Sequence, residues 1–321
     1  MNVFALQLIG ILLAVHTFTA SAQEPTHSGP MTIIVPYPAG GGNDLFARLI
    51  GMKLGSSIGR QVVVDNRSGA SGSIGTAFVA RAPADGSVVL YAASTIALSN
   101  SISANLPYDA GRDLRALTIT LTIPFVLAAH PSLPARNARE FIGFVRSRPG
   151  MITYSSGGVG SAPHFAMELL NIKAGLKQVH VPYRGAAPAL TALVAGEAQA
   201  SWIVPPLVQP YTKSNKLRAL AISSARRSDA LPGIMTLREA GVQDYEALQW
   251  HGFFVPVKTP ANTLSRLHAA ISSALDSPEI KVQLAASGAT RVTTLPAEAQ
   301  AFFQKELAEW AKVAKQANIT E

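Results

Sequence analysis

The sequence contains no cysteine among its 321 residues. That excludes a disulfide framework, a thiol nucleophile and a thiolate metal site, so stability must come from a buried core. Charged residues are sparse too, at 14%, whereas 48% are hydrophobic, a balance that excludes a disordered chain. No basic run exceeds the pair Arg226-Arg227, and no aromatic residues interleave with basic ones. The net charge of +8 therefore reads as a basic surface that favours anionic solutes, with no nucleic-acid partner. The nucleotide-binding pattern G-x-x-x-x-G-K-[ST] is missing, and Gly158-Val159-Gly160 runs on into Ser-Ala-Pro. No G-x-S-x-G elbow occurs, and the seven histidines show no ligand spacing, so neither a metal nor a cofactor is expected.

The first 22 residues stand apart. Val3 to Val15 is almost unbroken apolar sequence, followed by Ala20-Ser21-Ala22. An apolar stretch of that length ending in A-x-A is the pattern of a secretory signal cleaved near Ala22, although the segment before it has no Lys or Arg. A buried N-terminal strand or helix is the alternative. No later segment is apolar enough to span a membrane, so an exported, periplasmic protein is expected.

From Met31 onward, short β-branched runs alternate with longer amphipathic ones, which is the signature of βα units around a largely parallel sheet. Strands are expected at 32–35, 61–65, 87–92, 152–155, 179–182, 200–204 and 217–223. Helices are expected at 44–58, 74–81, 137–148, 163–172, 188–194, 262–275, 278–286 and 296–316. Two extended apolar stretches, 117–129 and 250–257, read as crossings between two lobes. The expected organisation is a first lobe of 23–122 with 249–321, and a second lobe of 123–248.

Three turns share one chemical character: Pro36 to Asn43, Ser155 to His164, and Pro182 to Pro188. Each follows an expected strand and precedes an expected helix. Glycine allows close backbone approach, small hydroxyls add donors, and a helix start adds a positive dipole end. Together these suit an anion, whether carboxylate or phosphate. Ser161 and His164 are three residues apart and could face each other across a helical turn, which keeps a Ser/His hydrolase open. Tyr37, Tyr183 and Trp202 lie at strand ends or turns, where they either pack in the core or wall a ligand.

The stretches VPYPAGGGND, VVVDNRSGASGSIGT, ANLPYDAGRDL, YSSGGVGSAPH, HVPYRGAAPALTALVAGE and KLRALAISSARRSDALPGIMTLREAG follow one another in the order of a known family. The chain resembles the Bug family of periplasmic solute-binding proteins, receptors of tripartite tricarboxylate transporters, over nearly all of its mature length. The resemblance implies an α/β fold of the two-lobed periplasmic-binding-protein type II, with a hinge between two doubly wound sheets. It implies a monomer that captures a small carboxylated solute for membrane transporter subunits and is not an enzyme. A sensory receptor domain would share the fold. Carried over by position, the ligand-binding residues are Tyr37, Pro38, Ala39, Gly40 and Gly42 in the first lobe. In the second they are Ser156, Gly157, Gly160, Ser161, His164, Tyr183, Arg184, Gly185 and Ala186. Two departures stand out. Asn43 replaces the usual Ser or Thr and is expected to cap the helix. Near Ile203, many members have an aspartate, whereas this chain has an aliphatic residue beside Trp202. That points to an aromatic or aliphatic acid and away from an amino acid, because an ammonium there would be buried unpaired.

Overall fold

A computed structural model describes residues 29–103, 105–228 and 231–320. The expected signal segment, 1–22, lies outside the described residues.

The chain opens with β1 (Met31–Val35), α1 (Gly42–Ile58), β2 (Val62–Asn66), α2 (Ser73–Ala80), β3 (Val88–Ala93), α3 (Thr95–Ile102) and α4 (Ala110–Asp113). It then runs through β4 (Leu114–Pro124) into β5 (Val126–Ala129), α5 (Ala138–Arg146), β6 (Thr153–Ser156), α6 (Ala162–Ala174) and β7 (Val179–Pro182). After α7 (Ala186–Ala195) come β8 (Ala200–Ile203), α8 (Pro205–Lys213) and β9 (Arg218–Ile222). The chain closes with β10 (Leu248–Pro256), α9 (Ala261–Leu275), α10 (Pro278–Ala286), β11 (Thr290–Arg291) and α11 (Pro296–Ala317).

The strands form two sheets, ordered β11-β4-β10-β3-β1-β2 and β7-β6-β8-β5-β9. In each, successive βα units supply parallel pairs, β1 with β2 and β3, and β6 with β7 and β8. The strands that arrive from the other lobe pair antiparallel: β10 on β3 and β4, and β5 on β8 and β9. This is the two-lobed α/β architecture.

The chain leaves the first sheet after Pro124 and returns at Leu248, which are register partners, so the two crossings lie side by side. Ser223, fully buried, ties them together. Its Oγ accepts the Phe125 N–H at 2.8 Å and donates to the Ala247 carbonyl at 2.5 Å. A single hydroxyl thus satisfies a backbone group on each crossing, where irregular chain would otherwise leave both unpaired. One apolar core runs through this junction, from Leu90 and Phe254 in the first lobe to Tyr154, Phe165 and Trp202 in the second.

One expectation is corrected, and one element is new. The first helix is not capped by Asn43. Gly41, extended at φ −79° and ψ 169°, is the N-cap; its carbonyl accepts the Leu45 N–H at 3.0 Å, and Asn43 is already helical. The segment after β8, for which the sequence reading assigns no element, forms α8, whose two opening prolines occupy positions that need no N–H. Among the described residues no helix is long and apolar enough to cross a membrane.

Candidate functional site

The carboxyl ends of β1, β3, β6, β7 and β8 each lead into a helix, and the starts of these five helices line one cavity between the sheets. Its volume is about 360 Å³. Tyr37, Asn43 and Ala93 to Thr95 line it from the first lobe, and Phe125 and Gln249 from the crossings. The second lobe contributes Ser156, Gly157, Ser161 to Pro163, Gly185, Ala186, Ala189, Ser201 to Val204, and Leu207. This is the place where open α/β sheets bind ligands, outside the carboxyl ends of the strands.

Among the described residues no charged side chain lines this cavity. Backbone is what it can offer an anion: the first N–H groups of a helix have no partner inside the helix and carry the positive end of its dipole. Four lining residues also hold a buried side-chain atom without a protein partner: Asn43 Oδ1, Ser94 Oγ, Ser161 Oγ and Trp202 Nε1. Native proteins leave few such atoms unpaired, so four among the residues of one wall set that wall apart. The remaining wall is apolar, formed by Phe125, Ile203, Val204 and Leu207.

Local chemistry shapes each turn. Gly40 has φ 83°, which an L side chain rarely adopts, and its N–H donates to Asp44 Oδ2 at 2.9 Å. The same oxygen accepts Arg48 Nε at 3.0 Å, so a carboxylate in the first turn of α1 clamps the glycine loop shut. Tyr37 hydrogen-bonds Thr95 through the two hydroxyls, and its oxygen accepts the Ala93 N–H at 3.3 Å. Loss of water around the phenol raises its pKa, so it stays a neutral donor and acceptor. Gln249 Nε2 lies 3.1 Å from His251 Nε2, which fixes an amide at the cavity's edge.

The sequence-derived site residues divide as follows. Tyr37, Ser156, Gly157, Ser161, Gly185, Ala186, Trp202 and Ile203 line the cavity. Pro38 and Gly160 line an adjoining cleft of about 630 Å³ that shares Tyr37, Thr95, Gly157 and Ser161 with it. Ala39, Gly40, Gly42, His164, Tyr183 and Arg184 line neither. Arg184 is exposed, and the Tyr183 hydroxyl donates to Glu197 Oε2 at 3.3 Å. His164 is buried, its Nδ1 accepting the Gly160 N–H at 3.2 Å, while Ser161 Oγ has no partner. The hydroxyl and imidazole of the candidate Ser/His pair are therefore not hydrogen-bonded to each other. Asn43, Ser94, Phe125 and Gln249 were not singled out as ligand contacts by sequence. The last two flank the crossings, and the proximity of one crossing to Pro124 was the available signal.

The chain matches the model of the tripartite tricarboxylate transporter family receptors over residues 46–319. It is similar to Protein BugT of Bordetella pertussis, 33% identical over 314 residues, covering 97% of this chain and 96% of BugT. Among solved structures it resembles R. palustris Rpa4515 with adipate, at TM-score 0.76 and 32% identity over 92% of this chain and 99% of that one. It also resembles MatC (Rpa3494) from Rhodopseudomonas palustris with bound malate, at TM-score 0.72 and 27% identity over 90% and 99%.

Proposed function

Because the chain belongs to the tripartite tricarboxylate transporter receptor family, we propose that it is a periplasmic receptor that captures one small carboxylate. In this reading it delivers the acid to membrane transporter subunits, acts as a monomer and turns nothing over. One observation carries it: the starts of α1, α3, α6 and α7 meet at one cavity that, among the described residues, no charged side chain lines. Helix N-termini hold an anion without an opposing cation, and the site needs no Arg or Lys for that. Adipate in Rpa4515 and malate in MatC are both dicarboxylates, which supports the same ligand class here.

The cavity wall narrows the class further. No Asp or Glu lines it, and Ile203 and Trp202 form part of its second-lobe side. An amino acid would bury its ammonium there without an opposing carboxylate, at a cost that a plain acid avoids. The ligand is therefore an aliphatic or aromatic acid. Binding between the sheets draws the lobes together about the Phe125 and Ala247 crossings, as in hinge closure around other ligands.

A thermal-shift screen of the chain from residue 23 tests this. Aliphatic diacids, aromatic acids and amino acids are compared with their amides. A ligand present at a hundred times its Kd should stabilise the folded chain by about 2.7 kcal/mol. Shifts from acids but not amides, and not from amino acids, are expected. Shifts from amino acids alone would overturn the ligand class, and equal shifts from acids and amides would overturn carboxylate capture.

A further inference from the structure

Two histidines stand behind the second glycine turn, residues 156–161, and line neither cleft. His164, in the first turn of α6, is 6% exposed, and its Nδ1 accepts the Gly160 N–H at 3.2 Å. His180, on the edge strand β7, places Nε2 2.7 Å from Ser156 Oγ. That hydroxyl also accepts the Gly158 N–H at 3.2 Å and donates to the Gly158 carbonyl at 3.0 Å. The two imidazoles stack on each other, with centroids 3.8 Å apart and planes 11° from parallel. One end of the turn is thus tied to one ring, and the other end to its stacked neighbour.

We infer that the His164–His180 pair is a positioning device: it sets the shape of the 156–161 turn and carries solute affinity through that turn without touching the solute. The inference rests on the receptor reading, because Ser156, Gly157 and Ser161 are the parts of the turn that line the cavity.

The chemistry of the pair is specific. A ring nitrogen that accepts a backbone N–H carries no proton, so His164 is neutral, with its proton on Nε2. Protonating Nδ1 would set one N–H against another and release Gly160. Gly160 sits at φ 76°, and a Cβ there would lie 2.6 Å from Ile102 Cδ1 of the first lobe, so this end of the turn abuts α3. Two charged rings at 3.8 Å would repel, and burial opposes charging either one. The surroundings supply no counter-charge. On one side Tyr154 stacks on His180 at 4.9 Å, and on the other Phe165 meets His164 edge-on at 6.2 Å. The nearby carboxylate, Glu168, is occupied by the Tyr154 hydroxyl at 2.5 Å and Asn171 Nδ2 at 3.1 Å. Burial with the neighbouring ring lowers the His164 pKa to about 3, and burial lowers that of His180 to about 4. The pair is neutral throughout the range where a periplasmic receptor works.

The test uses calorimetric titration with adipate and with malate, and amide hydrogen exchange over residues 157–161. His164→Asn keeps an acceptor close to the place of Nδ1, whereas His164→Leu keeps only bulk. His180→Gln and His180→Leu make the same comparison at Nε2. Loss of one such bond is expected to weaken binding roughly five- to tenfold in each leucine variant. The Asn and Gln variants should stay within about threefold of wild type on the same scale. Exchange across the turn should quicken in the leucine variants alone. If His164→Leu does not fold, the His180 variants decide. Leucine variants that bind like the wild type, or polar variants that lose as much as leucine, would overturn the inference. A wild-type chain that binds neither acid would count against a diacid ligand alone, and exchange across the turn would then decide the inference: equal exchange in leucine variants and wild type would overturn it.

Discussion

Trp250→Ala is expected to lower the stability of the folded chain by about 3–5 kcal/mol, the upper range for single core truncations. Trp250 is fully buried in β10, between β3 and β4, two residues after the chain returns from the second lobe. Its ring meets Phe302 and Phe303 edge-on at 5.7 and 6.2 Å, so alanine would open a large apolar cavity. The indole N–H also donates to Glu306 Oε2 at 2.6 Å, and the same oxygen accepts Trp310 Nε1 at 2.9 Å. Trp310 in turn packs edge-on against Phe165 of the second lobe at 5.6 Å. The carboxylate therefore joins a crossing strand, α11 and, through Trp310, the opposite lobe. Burial raises the pKa of Glu306, and removing one of its two donors leaves that charge less compensated. Trp250→Phe separates the parts: it keeps most of the packing and loses the bond, which should cost about 1–3 kcal/mol. Urea unfolding midpoints measure both variants. A midpoint for Trp250→Ala equal to wild type would contradict this account of the junction.

Acid should destabilise the chain well before its carboxylates titrate. Burial lowers the pKa of His251 to about 3, and His164 and His180 are held at about 3 and 4. In the unfolded chain, histidine binds its proton near 6.5. Between those values the unfolded state holds more protons than the folded one, so stability is full above pH 6.5 and falls as pH drops below it. For His251 the loss is about 1.4 kcal/mol per pH unit, and for the less enclosed pair it is smaller because water screens the charge. Glu306 acts in the opposite sense, since its raised pKa favours the folded state as protons bind. One carboxyl does not offset three imidazoles above pH 5. Calorimetric melting at pH 7.5, 6 and 5 should show a falling Tm, steepest below 6.5. A Tm unchanged from 7.5 to 5 would contradict the burial of these rings.

Much of this was legible in the sequence because βα units announce themselves locally. The strands at 31–35, 88–93 and 200–203 are short, largely apolar runs bounded by turn residues, and the long helices carry clear apolar stripes. The turns at the carboxyl ends of β1, β6 and β7 were readable for the same reason. What was hidden depended on other signals. No element is expected between 204 and 217, yet Pro205 and Pro206 start α8 there, at positions that suit proline. Asn43 read as a cap, but Gly41 can take the extended N-cap conformation, which moves Asn43 into the helix and onto the cavity wall. His180 showed no role because its partner Ser156 is 24 residues away, and only the parallel register of β6 and β7 brings them together. Ser94, Phe125 and Gln249 reach the cavity through strand ends and crossings, which local periodicity does not describe.

The central claim is that a carboxylate is held by helix starts between the two sheets. A crystal structure of the chain with the acid that gives the largest thermal shift tests it most directly. The account predicts carboxylate oxygens within about 3.2 Å of first-turn N–H groups of α1, α6 or α7, with no cationic side chain in contact. It also predicts that Ser161 Oγ donates to the acid, directly or through an ordered water, and that Asn43 Oδ1 accepts from an ordered water. An acid seated outside this cavity, or one held by an Arg or Lys side chain, would contradict it.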